Sequence, residues 1–564
     1  MHATLRIRLA RRSILIVALM LAAAPPASAA DPIVPLAEVR PGMSCTGLSV
    51  IRGTAISSFD VEIIDVIAAE SGLSGPRMLV RVSGPAVDAT GVGPGFSGSP
   101  ILCDGRNAGA ISEAIGEYGN HVVLATPIEE MLREQPRAPI AARRDPALLR
   151  AARPLAAPLT VSGLSGRGLR LFERAAQRAG TSVLAAPAGP QGGFEPAPLV
   201  PGAAAAASIS TGDLAIGAVG TVSYRDGDRV WAFGHALDGR GRRSLFLTDA
   251  YVFSVIQNPL GIADGAITYK LASSGGHVQG SITSDGFAAI AGSVGAPPAS
   301  IPLQVTARAG NGRRVTLDSE LADERALRLG AGMAFVAPLG LSQAVDTVLG
   351  AGGPTRLSVC ARFHVQERRR PIAYCNPYFG MDAALLDLTT AAELVDSYDL
   401  SPLHIERIQV NVRARPGVES DVIVGSRAPR RVHPGERIRV RLALQRRNGG
   451  RRALSVPVKL PSDLRPGART LILAGNGGVP SLEDELVSAL FDVLVIEFGE
   501  GGGGGEPHSL AELADAVREL RNPLGIKARL KRRPPQLVHR SDEVSFEGRE
   551  LIRLRVTRPA RRHR

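Results

Sequence analysis

Ser97 stands in Gly93-Pro-Gly-Phe-Ser-Gly-Ser-Pro100, ahead of the apolar run Ile101-Leu-Cys103. A serine attacks a carbonyl only when a base takes its proton and backbone N–H groups stand ready for the oxyanion. The neighbouring glycines suit that task. Gly95 can take the positive φ that such a loop requires, and Gly98 leaves room for a substrate backbone beside Ser97 Oγ. The same residues would also make a polar turn between two strands, so the choice depends on a base elsewhere in the chain.

Of the ten histidines, His235 has the most suggestive setting. Arg229-Val-Trp-Ala-Phe-Gly-His235-Ala-Leu-Asp238 places it at the end of a hydrophobic strand, directly after a glycine. His121, His277 and His364 lie at strand ends without a companion motif. His404 lies near a domain boundary, His2 lies in the leader, and His433, His508, His539 and His563 lie in the C-terminal part. Ser97 and His235 together spell acyl transfer by a base-activated hydroxyl, with turn and core packing as the alternative reading. The Gly-x-Ser-x-Gly elbow does not fit, because position 99 is serine and a strand follows.

Other chemistries find little support. The four cysteines are widely spaced, with neither a Cys-x-x-Cys pair nor a histidine cluster, so no metal and no other cofactor is expected. The Gly499–Gly505 run lacks the Lys-Ser/Thr of a phosphate loop and reads as a linker. With aromatic residues at 4% and Trp231 as the single tryptophan, there is scant stacking surface for sugars; Trp231 reads as core.

The elements that must position Ser97 and His235 read as β. Short apolar runs separated by glycine and aspartate turns fill Val34–Leu132 and Leu214–Val365, with Asp226-Gly-Asp and Ala309-Gly-Asn-Gly as hairpin turns. Arg133–Pro201 is richer in Ala, Pro and Arg, with one helical pattern at Leu169–Ala179. A third β block, Ile405–Gly475, suits an immunoglobulin-like sandwich. Helices are expected at Ala383–Val395, Leu482–Leu494 and Leu510–Leu520.

The N-terminus sets four arginines before an apolar run and closes on Ala27-Ser-Ala29, the pattern of a secretory signal. No later apolar stretch reaches the roughly 18 to 20 residues of a membrane span, so a secreted or periplasmic chain is expected. In an oxidising compartment, Cys45 should pair with Cys103 and Cys360 with Cys375. Net charge is +13, but the four leader arginines and Arg521–Arg564, with 14 Lys and Arg against four acids, leave the body near neutral. A basic tail of this kind suits contact with an anionic envelope or membrane surface rather than with nucleic acid.

Several segments together resemble one family. Gly95-Phe-Ser-Gly-Ser-Pro100 and the following Ile101–Ser112, the approach Arg40–Ile67, the exit Ala125–Leu132 and the histidine segment Ala215–Leu237 are similar to the SpoIVB-type serine peptidases, the sporulation signalling peptidases and their bacterial relatives. The resemblance covers roughly Val39–Leu132 and Leu214–Pro302 and implies a trypsin-like double β-barrel. It makes Ser97 the nucleophile and His235 the general base, with the N–H groups of Gly95 and Ser97 as oxyanion hole. Here the serine half precedes the histidine half, the reverse of the sporulation enzymes. Where the family carries an aspartate before a proline, this chain has Gly84-Pro85; Asp88 is then the nearest third member, with Asp238 and Asp249 as rivals. No PDZ-like module is visible.

The expected organisation is mainly β. A signal peptide occupies 1–30, the Ser-bearing half of the double barrel 31–132, a connector with a short helical element 133–205 and the His-bearing half 206–395. An immunoglobulin-like sandwich at 396–478 and a small α/β region with basic tail at 479–564 follow. The expected activity is that of an exported serine endopeptidase of limited or self-directed specificity on envelope or secreted proteins. The alternative is a weak or inactive peptidase-like scaffold that binds envelope partners.

Overall fold

The structure, a computed structural model, describes residues 31–68, 75–115, 120–134, 152–154, 159–178, 183–186, 193–257, 268–273, 275–327, 329, 332–350, 353–447, 449–475, 507–520, 524–531 and 533–557. The signal peptide expected at 1–30, the helix expected at Leu482–Leu494 and the glycine run lie outside these residues. The fold is mainly β, and none of the described helices is long and apolar enough to cross a membrane.

The first unit is a closed six-strand barrel. Pro100–Cys103 pairs with Ser44–Arg52, which pairs with Ala55–Ile67, then Arg77–Ser83, Val122–Pro127 and Arg106–Ile115, which returns to Pro100–Cys103. Period-two alternation sends Phe59, Val61 and Ile63 inward from one strand and Met78, Val80 and Val82 from the next, into a core shared with Phe96 and Ile111. The expected disulfide Cys45–Cys103 joins adjacent strands of this barrel across a separation of 58 residues. Cys360–Cys375, also as expected, joins the paired strands Thr355–Val365 and Ile372–Phe379.

In the second sheet the pairings again return to their start. Ala204–Gly212 is followed by Gly241–Asp249, Val278–Asp285, Ile290–Val294, Arg229–Ala232 and Ala215–Asp226, which pairs back with Ala204–Gly212. A hairpin of Val252–Gln257 and Thr268–Ala272 stands beside it. Beyond this ring the sheet continues through Arg314–Ala322, Ser300–Ala309, Ile405–Pro416 and Thr355–Val365. Helices Met333–Leu349 and Asp382–Asp396 share a core with the inward residues Val305, Val359, Phe363 and Val410.

Two expected boundaries shift. Within the stretch read as a connector, helix Gly166–Arg178 forms close to the expected place, but Leu159–Ser162 and Val183–Ala185 also extend the second sheet. Strands of four and three residues are too short to display alternation. Near the C-terminus, Ile405–Pro416 belongs to the second sheet rather than to a sandwich. The remaining strands form two sheets with one core. One sheet contains Glu419–Arg427, Arg437–Arg446, Arg451–Lys459 and Val544–Glu547. The other contains Arg431–Val432, Gly467–Gly475, Gly525–Leu530, Gln536–Arg540 and Arg549–Val556. The described strands of the C-terminal stretch thus share the sandwich core, and in Arg549–Val556 the arginines point outward while Ile552, Leu554 and Val556 fill that core. Helix Leu510–Glu519 forms as expected, its Ser509 side chain accepting from Glu512 N.

Candidate active site

The loop between Arg77–Ser83 and Pro100–Cys103 carries Ser97, and a chain of backbone hydrogen bonds ties it to the second sheet. Thr221 N donates to Ser97 O at 2.8 Å, and Phe233 N donates to Thr221 O at 3.2 Å. Gly98 N donates to Ile111 O at 2.8 Å. A methyl placed on Gly234 would stand 3.1 Å from that same Ile111 oxygen, so the Ser97 and His235 loops converge on one carbonyl. Gly95 and Gly98 both hold positive φ, at 92° and 90°. The space beside Gly98 belongs to Thr221 O and Phe233 N, where a methyl would come within 2.0 and 2.5 Å. The expectation that Gly98 makes room for a substrate backbone is corrected: it makes room for the loop that carries the histidine.

Ser97 is fully buried, and among the described residues its Oγ has no hydrogen-bond partner. Such orphans are uncommon in folded proteins and call for a physical reason. Around it, Phe96 N donates to Gly93 O and Ser99 N to Phe96 O, whereas the N–H groups of Gly95 and Ser97 donate to no acceptor among the described residues. Those are the two groups expected to receive an oxyanion.

His235, 3% exposed, follows two left-handed residues, Phe233 at φ 71° and Gly234 at φ 71°. For an aromatic residue this backbone is strained, and such strain persists only where the surroundings impose it. Here the Phe233 ring lies against Gly220 while its N–H is held by Thr221. His235 Nδ1 lies 2.6 Å from Ala236 O. A carbonyl can only accept, so Nδ1 carries a proton; in the neutral ring the lone pair is then on Nε2, the tautomer a general base requires.

The third-member candidates are engaged elsewhere. Asp88 is exposed and accepts from Gly84 N at 2.7 Å, closing its own turn. Asp249 accepts from His277 N, His277 Nδ1 and Ala197 N. Asp238 meets Arg243 at 2.8 Å with both oxygens; burial is the largest influence and raises its pKa, but Arg243, Asp285 and Arg240 together bring the net direction down. The group that holds the histidine loop is one that sequence reading missed. Asp285 receives the N–H groups of Leu237, Asp238 and Gly239 at 2.6, 2.8 and 2.8 Å. Burial and the adjacent Asp238 push Asp285 up to about 7 against the pull of those donors.

Sequence reading also missed a polar cluster under the Ser97 loop. Ser99 Oγ donates to Ser49 Oγ at 2.9 Å, Lys270 Nζ donates to Ser49 Oγ at 2.6 Å, and Thr221 Oγ1 donates to Gly95 O at 3.0 Å. The available signal was Lys270 falling in phase with Thr268 and Ala272, the buried positions of its strand. Trp231 is core, as expected, packed edge-on against Tyr224. Among the described residues no group of three His, Cys, Asp or Glu side chains gathers to hold a metal. Comparison with family models, with curated proteins and with solved structures finds no match.

Proposed function

We propose that the chain is a serine endopeptidase of limited or self-directed specificity, exported by its N-terminal segment and acting on envelope or secreted proteins. The observation that carries this reading is the convergence of the Ser97 loop and the Phe233-Gly-His235 turn on Ile111 O, with Gly98 against Phe233 N. In this reading the two rings of six strands are the halves of a trypsin-like double barrel, in the reverse of the SpoIVB-type order. A catalytic constellation is defined by geometry rather than by chain order, so the reversal is compatible with function.

Ser97 Oγ attacks the scissile carbonyl and passes its proton to His235 Nε2. The oxyanion falls to the N–H groups of Gly95 and Ser97, and imidazolium returns the proton to the leaving amine. Ala236 O meets the ring at Nδ1, while Asp88, Asp238 and Asp249 are engaged elsewhere. Losing the carboxylate of a triad costs on the order of 10⁴ in kcat, so turnover is slow and suits a single regulatory or self-directed cut. The two-sheet unit from Glu419 onward, read as an immunoglobulin-like module with outward arginines, would hold the partner or an anionic surface.

A second reading, a peptidase-like scaffold that binds envelope partners without cutting them, draws on the complete burial of Ser97. Intact mass of the mature protein over time, beside Ser97→Ala and His235→Ala, separates the two. Clipping of wild type with both variants whole supports the peptidase. All three remaining whole, alone and with unfolded envelope proteins, supports the scaffold.

A further inference from the structure

Lys270 is 3% exposed, and no ion pair among the described residues neutralises it. Lysine is almost never fully buried without a partner, because its ammonium loses hydration that only a charge or a full set of acceptors replaces. Burial alone lowers its pKa to about 7. What surrounds it is one short segment. Its own N–H donates to Pro94 O at 2.9 Å. Its stem covers Gly95, where a methyl would stand 2.8 Å from Lys270 Cβ, and its Nζ lies 4.4 Å from the centre of the Phe96 ring.

Through its two hydroxyl partners the hold extends further. Nζ donates to Thr221 Oγ1 at 3.3 Å, Thr221 Oγ1 donates to Gly95 O and Thr221 N donates to Ser97 O. Nζ also meets Ser49, which receives the Ser99 hydroxyl. Residues 95, 96 and 99 are therefore held by the Lys270 side chain or by a side chain that Nζ meets, while Pro94 O and Ser97 O are held by the backbone N–H groups of Lys270 and Thr221.

We propose that Lys270 is the positioning residue of the nucleophile loop: by gathering Ser49 and Thr221 it fixes Gly95–Ser99 in the conformation that leaves the Gly95 and Ser97 N–H groups open. This rests on the peptidase reading for its consequence in catalysis, but the hold on the loop stands on the contacts alone.

The test compares the full chain with Lys270→Met, which keeps the stem over Gly95 and Phe96 but loses Nζ, and with Thr221→Val, which loses the hydroxyl on Gly95 O. Three quantities are measured: amide hydrogen exchange at Phe96, Gly98 and Ser99 against that of the strands Ala55–Ile67 and Arg77–Ser83, the rate at which a fluorophosphonate modifies Ser97, and the melting temperature. The expected result for both variants is exchange at least tenfold faster in the loop only and modification of Ser97 at least tenfold slower. For Lys270→Met the melting temperature should be unchanged or higher. Unchanged loop exchange, or faster exchange throughout the barrel with a lower melting temperature, overturns the positioning role. Modification of Ser49 or Ser99 that depends on Lys270 also overturns it, since Lys270 would then be acting as a base. If wild type is never modified, the peptidase reading fails while the exchange result still decides the role of Lys270.

Discussion

The α-carbon of Gly98 lies against the amide nitrogen of Phe233, so that a single added methyl would stand 2.5 Å from it and 2.0 Å from Thr221 O. Backbone on both sides leaves nothing flexible to yield. Gly98→Ala should therefore separate the serine and histidine loops and strain a φ of 90°. The cost should be about 2–6 kcal/mol, from roughly 1–3 kcal/mol of backbone strain and a similar amount of overpacking. Urea unfolding and the rate of Ser97 modification check it, and an alanine variant of wild-type stability and reactivity would refute the close contact.

His235→Ala should slow fluorophosphonate modification of Ser97 by on the order of 10³-fold or more, since a serine hydroxyl at its ordinary pKa is unreactive. Asp88→Ala should leave that rate within about twofold, because its carboxylate serves the Gly84 turn. A large effect at Asp88 would restore it as the orienting acid.

Lys270 makes stability depend on pH with a definite sign. Its folded pKa is about 7 and its ordinary value 10.5, so between these the unfolded chain binds more protons. Stability from this group therefore rises with pH across that window, by up to about 1.4 kcal/mol per unit, and is constant below it. Lys270→Met should be more stable than wild type below pH 7, with the difference shrinking towards pH 10. Chemical denaturation of both proteins across that range checks the sign; a constant difference would mean that the lysine keeps its ordinary pKa.

Asp285→Asn replaces a carboxylate that receives three successive N–H groups with an amide that repels at least one orientation of them. Above pH 7, where the carboxyl is ionised, a loss of about 2–4 kcal/mol is expected from charge-assisted hydrogen bonds at a buried site. Slower modification of Ser97 should accompany it, because the loop that follows His235 loses its anchor. Stability retained with normal reactivity would show the anchor to be dispensable.

Reduction of Cys45–Cys103, or the double alanine variant, should cost about 4 kcal/mol by the loop-entropy account for 58 residues. The bond joins Pro100–Cys103, the strand leaving the nucleophile loop, to Ser44–Arg52. Thermal unfolding with and without reductant measures it, and an unchanged midpoint would rule out a structural role.

Ser97 and His235 stood out as candidates because glycine spacing and strand ends are local signals, and the structure forms both disulfides in the expected pairing. Lys270, Thr221, Ser49 and Asp285 could not, since each acts across elements far apart in sequence and looks ordinary within its own strand. Asp88 was chosen by nearness to Pro85, yet nearness along the chain does not fix where a carboxylate points. The sandwich boundary failed for a related reason. Ile405–Pro416 alternates like any sandwich strand, and only its parallel pairing with Ser300–Ala309 assigns it elsewhere.

The strand Glu419–Arg427 finds one neighbour soon, in Arg437–Arg446, but its other neighbour is Val544–Glu547, more than a hundred residues later. During synthesis its free edge must wait, exposing unpaired N–H and C=O groups that invite a second chain. A clip that removes Val544–Glu547 would leave the first two sheets whole but the edge of Glu419–Arg427 bare and adhesive. Protection from aggregation thus hangs on a strand made long after its neighbour.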